Sequence, residues 1–570
     1  MSMTTSILGG VGLFLLGMSV MTTGLKALAG SALRTMLSKA ASTPLSGTFW
    51  GAFVTLIVQS SSATTMTTIG LVSAGLLSFS QGLALVFGAN IGTTGTGWLI
   101  ALIGVRVSLT AAALPMIFVG ALIKLLGNGR VSAAGASLAG FALVLFGLTT
   151  LQQGMGGLAE HFHPDNLPAV FGAGVSWWSS LLGVLTLIAV GLAMTAVMQS
   201  STAAIAVTLS ANYAGAVGLD QACALIIGQN IGTATSSALA AIGASRTAKR
   251  LALAYILFKL IAAVIALVLF PITTPLLVSA SKTVDGVTLL AGYHTAYNVV
   301  GVAVLLPLIN KFTQFVERIL PERGSPLTRC LDPAALLTPI AAEEAVRRTV
   351  ARALGTMCVS IGTALTTTDY GTSVRAGKAV ISVTEAGDAL RQAQRFMSDA
   401  SGPPESEDEE ERLTRTLHAL DHASRMAEVA GGKSEFGPLR TGSEEMHAAE
   451  LCAEAMKNAA LIASEVGALP VGAEQEVAAN TAPAGQVLDQ LEGCAKTLGE
   501  LLQDHRRTTL SAVARGAMNA DDAIASIDTV RWLEALTRHA WRSAAYLVDS
   551  RATYQLPPSS PLFAASAKSE

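Results

Sequence analysis

One polar heptapeptide occurs twice in this chain, each time inside apolar sequence. Gln59-Ser-Ser-Ser-Ala-Thr-Thr65 returns as Gln199-Ser-Ser-Thr-Ala-Ala-Ile205, and Gly88-Ala-Asn-Ile-Gly-Thr93 returns as Gly228-Gln-Asn-Ile-Gly-Thr233, both displaced by 140 residues. A polar break in lipid leaves backbone groups unsatisfied at several kcal/mol each, so it persists only where protein or a water-filled cavity satisfies it. Two such breaks in one register therefore predict a membrane chain built from two equivalent halves whose breaks face a shared interior.

Composition supports the membrane class. Hydrophobic residues make up 51% of 570 residues and charged residues only 13%, with a mean hydropathy of +0.53. Residues 1–320 hold 13 Lys and Arg and 5 Asp and Glu, leaving 24 and 34 for residues 321–570. The first part reads as a membrane domain, the second as a soluble acidic one. An acidic tail argues against nucleic acid, whose phosphates demand a basic face. The five cysteines show no metal-ligand spacing and read as reduced, mostly structural thiols. The N-terminus enters an apolar stretch without the basic region of a cleaved signal, so residues 7–27 are expected to be a retained first span.

Candidate spans are 7–27, 80–103, 107–126, 131–156, 219–243, 248–276 and 289–311, each about long enough for a ~30 Å hydrocarbon layer. Lys26, Arg34 and Lys39, Lys124 and Arg130, Arg246, Lys249 and Arg250, and Lys311 and Arg318 fall on one side if the serine segments dip in and return. The positive-inside rule makes that side cytoplasmic, in a cytoplasmic (inner) membrane with the tail in the cytoplasm. Glu160, His161, His163 and Asp165 lie opposite, and Arg106 is the exception. Gly17, Gly24 and Leu28 recur as Gly147, Gly154 and Leu158 at an offset of 130, and Gly51 and Thr55 as Gly191 and Thr195 at 140. An insertion of ten residues around His161 to Gly172 explains the change. Three crossings per repeat turn the second copy upside down, the inverted-repeat plan of secondary transporters. The first repeat runs about 7–126, the second about 131–276, with a final span at 289–311.

The approach Pro44 to Gln59 is only about 15 residues, roughly 23 Å, which predicts a re-entrant hairpin with the serine motif at its tip. The second approach, Leu181 to Met198, is long enough to cross outright, and both readings of it stand. Side-chain and backbone oxygens at such tips suit Na⁺, while hydroxyls and N–H groups at the start of a returning half-helix suit an oxyanion. A lone serine run more often serves close helix packing; duplication with Gln at its head argues for a site. The candidate ligands are Gln59, Ser60, Ser61, Ser62 and Thr64 with Asn90 and Thr93, and Gln199, Ser200, Ser201 and Thr202 with Asn230 and Thr233. The Gly-x-Asn-Ile-Gly-Thr pair reads as a flexible helix break that supplies further oxygens, or as a glycine-loosened packing helix. Apart from Asp220 near a span end, the spans hold no Asp or Glu. Proton coupling usually needs a buried titratable group, so Na⁺ coupling through neutral oxygens fits better. Lys259 either snorkels or faces the substrate path. His294, with Asn298 one helical turn on, serves either packing or ligand contact.

These paired motifs closely resemble the bacterial sodium/phosphate cotransporter family, related to the type II animal cotransporters, over residues 7–311. The resemblance implies an all-α polytopic membrane fold with inverted-topology repeats, re-entrant hairpins and discontinuous helices, and Na⁺ and phosphate binding at Gln59 to Ser62 and Gln199 to Thr202. Ala291-Gly-Tyr-His-Thr-Ala-Tyr-Asn298 is similar to the family's His-x-x-Phe-Asn helix, with Tyr297 in place of Phe. Ala254-Tyr-Ile-Leu-Phe-Lys259 departs from it, with Tyr255 and Lys259 where His and Asn are expected.

Family members often carry a PhoU-like helical-bundle domain, and residues 340–570 are compatible with one after a linker at 321–339. Helical periodicity runs across 340–398, 411–431, 443–467, 485–516 and 521–549, with Ser401 to Glu411 as a solvated acidic loop. Leu417-His-Ala-Leu-Asp-His-Ala423 is similar to the metal-associated Glu-Arg-x-x-Asp-His segment of that domain, but Leu417 replaces its Glu. His418 and His422 are therefore expected to be exposed helix residues, with no metal beyond sodium. No nucleophile and base constellation or P-loop points to an enzyme. The expected function is a sodium-coupled inorganic phosphate symporter working by alternating access, with a cytosolic regulatory partner for the tail. The alternatives are a carrier or exporter of phosphate or another oxyanion, and a non-transporting membrane phosphate sensor.

Overall fold

A computed structural model describes residues 2–40, 43–104, 110–160, 164, 167–168, 170, 176–242, 244–321, 325–366, 373–400, 406–432, 443–468 and 484–548. Arg106, His161, His163, Asp165 and residues 401–405 of the acidic stretch lie outside them. Among the described residues there is no strand. The chain is an all-α polytopic membrane protein with a helical tail.

In the membrane half, α1 (Met3–Ala40) is followed by α2 (Pro44–Val58), α3 (Ser61–Ser73), α4 (Phe79–Thr93), α5 (Gly95–Leu99) and a π turn (Ile100–Gly104), then α6 (Thr110–Leu126). The second series is α7 (Arg130–Ala159), α8 (Trp177–Met198), α9 (Ser201–Tyr213), α10 (Leu219–Ala240) and α11 (Arg246–Ala280). Helix α12 (Gly286–Leu305) continues through a 3₁₀ turn at Leu306–Leu308 into α13 (Ile309–Ile319).

Among the described residues six segments are long and apolar enough to cross a membrane: 3–29, 79–102, 130–159, 177–198, 246–280 and 286–319. Helix α10, expected as a span, forms but is not among them, because Gln221, Gln229, Asn230, Thr233 and Ser236 dilute its apolar face. Apolar side chains point outward around this half, among them Leu125 at 78% and Val197 at 84% exposure, as a lipid-facing surface requires.

Glycines set the helix packing, since without a Cβ the backbones touch. A Cβ on Gly10, Gly17 or Gly24 of α1 would lie 2.5 to 2.7 Å from backbone atoms of Leu151, Val144 and Ser137 in α7. As the first number rises the second falls, so α1 and α7 run antiparallel. Gly51 of α2 meets Leu85 of α4 and Gly92 meets Thr55, while Gly191 of α8 meets Leu225 of α10 and Gly232 meets Thr195. Here the numbers rise together, so α2 runs parallel to α4 and α8 to α10. Between them α3 and α9 return antiparallel, which makes α2–α3 and α8–α9 helical hairpins. The second serine motif is thus a hairpin tip like the first, although its approach arm is 22 residues against 15.

The tail comprises α14 (Pro339–Thr366), α15 (Ser373–Ser398), α16 (Glu407–Gly431), α17 (Ser443–Ala468), α18 (Ala484–Ala514) and α19 (Ala520–Leu547), wrapped around one apolar core that includes Leu354, Met357, Leu390, Met426, Leu491 and Leu533. The single helical stretch expected at 340–398 is two helices. The acidic stretch is not all loop: Ser406 caps α16 through Glu409 N, and Glu407, Asp408, Glu409 and Glu410 form its first turn, where the helix dipole favours negative charge. His422 is half-buried rather than exposed, its Nδ1 standing 3.2 Å from Nδ1 of His539. Between the halves, a 3₁₀ turn at Pro333–Leu337 packs under α3, with Cys330 and Ala335 buried among Val54, Val58 and Leu71.

Candidate functional site

At each tip the helix is broken by a glutamine in the left-handed region. Gln59 (φ 55°) and Gln199 (φ 51°) are the two non-glycine residues with positive φ among the described residues, a conformation that costs an L-residue about 1–2 kcal/mol. Their surroundings offset that cost identically. Gln59 Nε2 donates to Leu56 O and Gln199 Nε2 to Ala196 O, both at 2.6 Å. Gln59 Oε1 accepts from Thr96 Oγ1 at 2.6 Å, and Gln199 Oε1 from Ser236 Oγ at 3.0 Å. Thr96 and Ser236 are hydrogen-bond partners of the tips that the motifs do not include. Their own 140-residue displacement was the available signal, masked because Thr and Ser are not identical.

Ser60 and Ser200 are N-caps, accepting from Ala63 N at 3.3 Å and Ala203 N at 3.2 Å. That bond starts α3 and α9 while leaving each hydroxyl its own proton to donate at the tip. Ser61, Ser62, Ser201 and Thr202 stand in the first turn beyond, none of them buried. Their N–H groups have no intrahelical acceptor, so each tip presents two hydroxyls and two amide protons together. Thr64 is not part of that face. It is 1% exposed and receives Thr55 Oγ1 at 2.9 Å, joining the hairpin arms from behind. The second copy has Ala204 at the equivalent place, and Thr195 Oγ1 there is buried without a partner.

The Gly-x-Asn-Ile-Gly-Thr segments are packing helices rather than flexible breaks. Helix α10 runs unbroken through Gly228 to Thr233, and in the first copy the interruption falls just past the motif, at Thr94 and the π turn. The reason is contact: Cβ atoms on Gly88 and Gly228 would lie 2.0 and 1.9 Å from the carbonyl oxygens of Thr48 and Ile188. The asparagines between these glycines face inward. Asn90 Nδ2 donates to Val86 O at 3.0 Å, while its Oδ1 accepts from the Tyr255 hydroxyl at 3.1 Å. That hydroxyl also lies 3.3 Å from Thr233 Oγ1, so Tyr255 joins the two copies. Thr233 donates to Asn230 O at 2.6 Å and Thr93 to Ala89 O at 2.8 Å.

Lys259 does not snorkel. It is 2% exposed, its ammonium donates to Asn230 Oδ1, and it lies 5.4 Å from the Tyr255 ring centroid. Asn230 Nδ2 in turn donates to Asn298 Oδ1 at 3.1 Å, and Asn298 Nδ2 to His294 O at 2.9 Å. His294 Nδ1 is buried and unpartnered. Tyr255 and Lys259 on α11, and His294 and Asn298 on α12, thus occupy one polar seam between the copies. Among the described residues no hydrogen bond links the two tips directly. The route between them is Gln59 to Thr96 on the α4–α5 segment, Asn90 to Tyr255 to Thr233, and Ser236 to Gln199. No salt bridge among the described residues involves Lys259. A buried amine facing neutral oxygens lacks a counter-charge, and an anion beside it would favour its protonated form.

The family model described as Na⁺/Pi-cotransporter matches residues 13–153 and 179–290. YqeW, an uncharacterized protein of Bacillus subtilis, is 28% identical over 310 residues, 54% of this chain and 96% of its own length. YjbB of Escherichia coli K12, whose name assigns it inorganic phosphate export, is 30% identical over 353 residues, 60% of this chain. The match spans 62% of that relative, less than two thirds of its length. Sodium-dependent phosphate transport protein 2A of Ovis aries is 43% identical over 61 residues, 11% of this chain and 10% of its own. No solved structure matches the chain significantly.

Proposed function

Residues 13–153 and 179–290 belong to the Na⁺/Pi-cotransporter family, and from that premise we propose that the chain is a sodium-coupled carrier of inorganic phosphate. The observation that carries this reading is the matched pair of tips, each a left-handed glutamine followed by a capped half-helix with open hydroxyl and amide donors. Phosphate is an acceptor-rich anion, and such donors are complementary to it. Ser61, Ser62, Ser201 and Thr202 would hold the anion, with the Lys259 ammonium as the fixed positive charge nearby. Backbone and side-chain oxygens at Gln59, Gln199, Asn90, Asn230, Thr93 and Thr233 would serve Na⁺, while His294 and Asn298 line the seam.

The repeats are read as inverted, supported by the antiparallel α1 and α7, which carry the recurring glycines. Alternating access then follows as a rocking of one repeat against the other about the seam. The clustered Lys and Arg residues support a cytoplasmic tail, in which residues 340–570 act as a PhoU-like regulatory domain with a cytosolic partner. Outward transport is the second reading, favoured by the name of the Escherichia coli relative, since direction depends on gradients.

Radiolabelled phosphate flux in proteoliposomes, measured in both directions, tests the proposal. Flux should rise with an imposed Na⁺ gradient and resist competition by sulfate. Flux indifferent to Na⁺ would remove the coupling, and no flux in either direction would leave the sensor reading in its place.

A further inference from the structure

Where the tail meets the membrane half, the chain forms a half-open cavity of about 310 Å³ whose wall carries Arg250, Arg329, Arg348 and Arg352 against one carboxylate, Glu317. These groups come from separate elements: the start of α11, the connection before α14, α14 itself, and α13. Arg250 Nε donates to Leu320 O at 2.8 Å, and Arg352 reaches Cys330 Sγ at 3.1 Å and Gly467 O at 3.4 Å. Arg348, 4% exposed, does meet a carboxylate, Glu344 at 2.8 Å. That carboxylate is shared with Arg347 and Arg412, each at 3.2 Å.

Among the described residues no salt bridge involves Arg329 or Arg352, and removing such charge from water is costly unless a counter-charge accompanies it. Arginine's planar fork pairs bidentately with the oxygens of phosphate, as it does with those of a carboxylate. We propose that this cavity binds a phosphate-type oxyanion that clamps the tail to the base of the first hairpin. The wall opposite Arg348 is the α3–α4 turn: a Cβ on Gly75 (φ +80°) would lie 3.0 Å from Arg348 Nη1. Helix α3 leads from that turn to the Gln59 tip, and α11 leads from Arg250 to Tyr255 and Lys259. Occupancy therefore ties both elements of the polar seam to α14. That the bound anion restrains phosphate flux rests on the transport reading; the binding itself does not.

The test uses the full chain in maltoside detergent, which carries no phosphate headgroup, with radiolabelled inorganic phosphate as probe. A Gln59→Ala/Gln199→Ala background weakens the transport site, so the remaining saturable binding reports the junction. Adding Arg329→Ala and Arg352→Ala should weaken it roughly tenfold or more, as loss of charge-assisted hydrogen bonds requires, and Arg329→Lys with Arg352→Lys should recover part of the loss. A second arm adds phosphatidylglycerol. Arginine-dependent binding of that lipid, with none of inorganic phosphate, identifies a headgroup as the oxyanion. If neither ligand binds in an arginine-dependent way while the lysine variants melt like the parent, the site does not exist. Absent flux from the wild-type protein with junction binding intact would sink the transport reading alone.

Discussion

Gln59 and Gln199 adopt a backbone conformation that glycine would take without strain. Strain held at a site in two copies is what a functional demand on the side chain produces. Gln59→Gly should therefore leave the melting temperature of the detergent-solubilised protein within a few degrees of the parent while phosphate flux collapses. A large drop in melting temperature with residual flux per folded molecule unchanged would make Gln59 a structural residue. Lys259 makes the opposite case, an amine held in the interior away from water. Replacing a buried charge by an apolar side chain of similar volume is often neutral or stabilising. Lys259→Met should fold as well as the parent but bind phosphate roughly tenfold or more weakly, as expected for losing a charge-assisted contact. Unchanged phosphate affinity in equilibrium binding would take the ammonium out of the anion site.

Packing of α1 against α7 depends on glycines that face backbone, not side chains that can swing away. In Gly17→Leu the new Cβ would start 2.6 Å from Val144 N, and overpacking of this kind costs about 1–3 kcal/mol or more. Gly12→Leu on the same helix has nothing within 4 Å and serves as the control. Thermal melting should separate the two variants clearly. In the tail, burial, reinforced by Arg542 for His422 and by Arg538 for His539, holds both imidazoles down at about 4. Asp421 pulls His422 the other way, while Arg425 acts with burial on both rings. An unfolded histidine titrates near 6.5, so between these values the unfolded chain binds more protons. The neutral pair therefore contributes fully above about pH 6.5, and its contribution is lost as pH falls toward about 4. His422→Phe should flatten the decline in tail stability over that window; an unchanged pH profile in melting would refute the assignment.

At the scale of the whole molecule, the membrane half has most of what its site needs. The Bacillus subtilis relative aligns over 96% of its length with little more than half of this chain. The boundary matters, because Cys330 and Ala335 are buried with Val54, Val58 and Leu71 beneath the first hairpin. Deleting residues 339–570 should preserve phosphate flux in proteoliposomes, whereas deleting from residue 325 should also lower thermal stability by uncovering that apolar cluster. Loss of flux in the chain ending at residue 338, with the protein still folded, would place an essential part of the mechanism in the tail.

Much of the architecture was legible because it is written in identities at fixed displacement. Duplicated Gln-Ser-Ser signatures, recurring glycines and the change in charge at residue 320 determine two like halves, polar breaks inside apolar sequence, and a separate helical tail. Periodicity locates the last three tail helices, since each amphipathic helix must bury one face, but not the division of 340–398 into α14 and α15 or the start of α16 at Glu407. What only the tertiary structure decided is which polar atoms are already spent. Nothing in the sequence distinguishes Ser60 from Ser61, yet one caps a helix and the other is open. Thr64 sits behind the tip because helical rotation turns it toward Thr55, and Lys259 points inward because Asn230 of another helix meets it. Such assignments depend on contacts between residues 9 to 165 positions apart, which local pattern cannot encode.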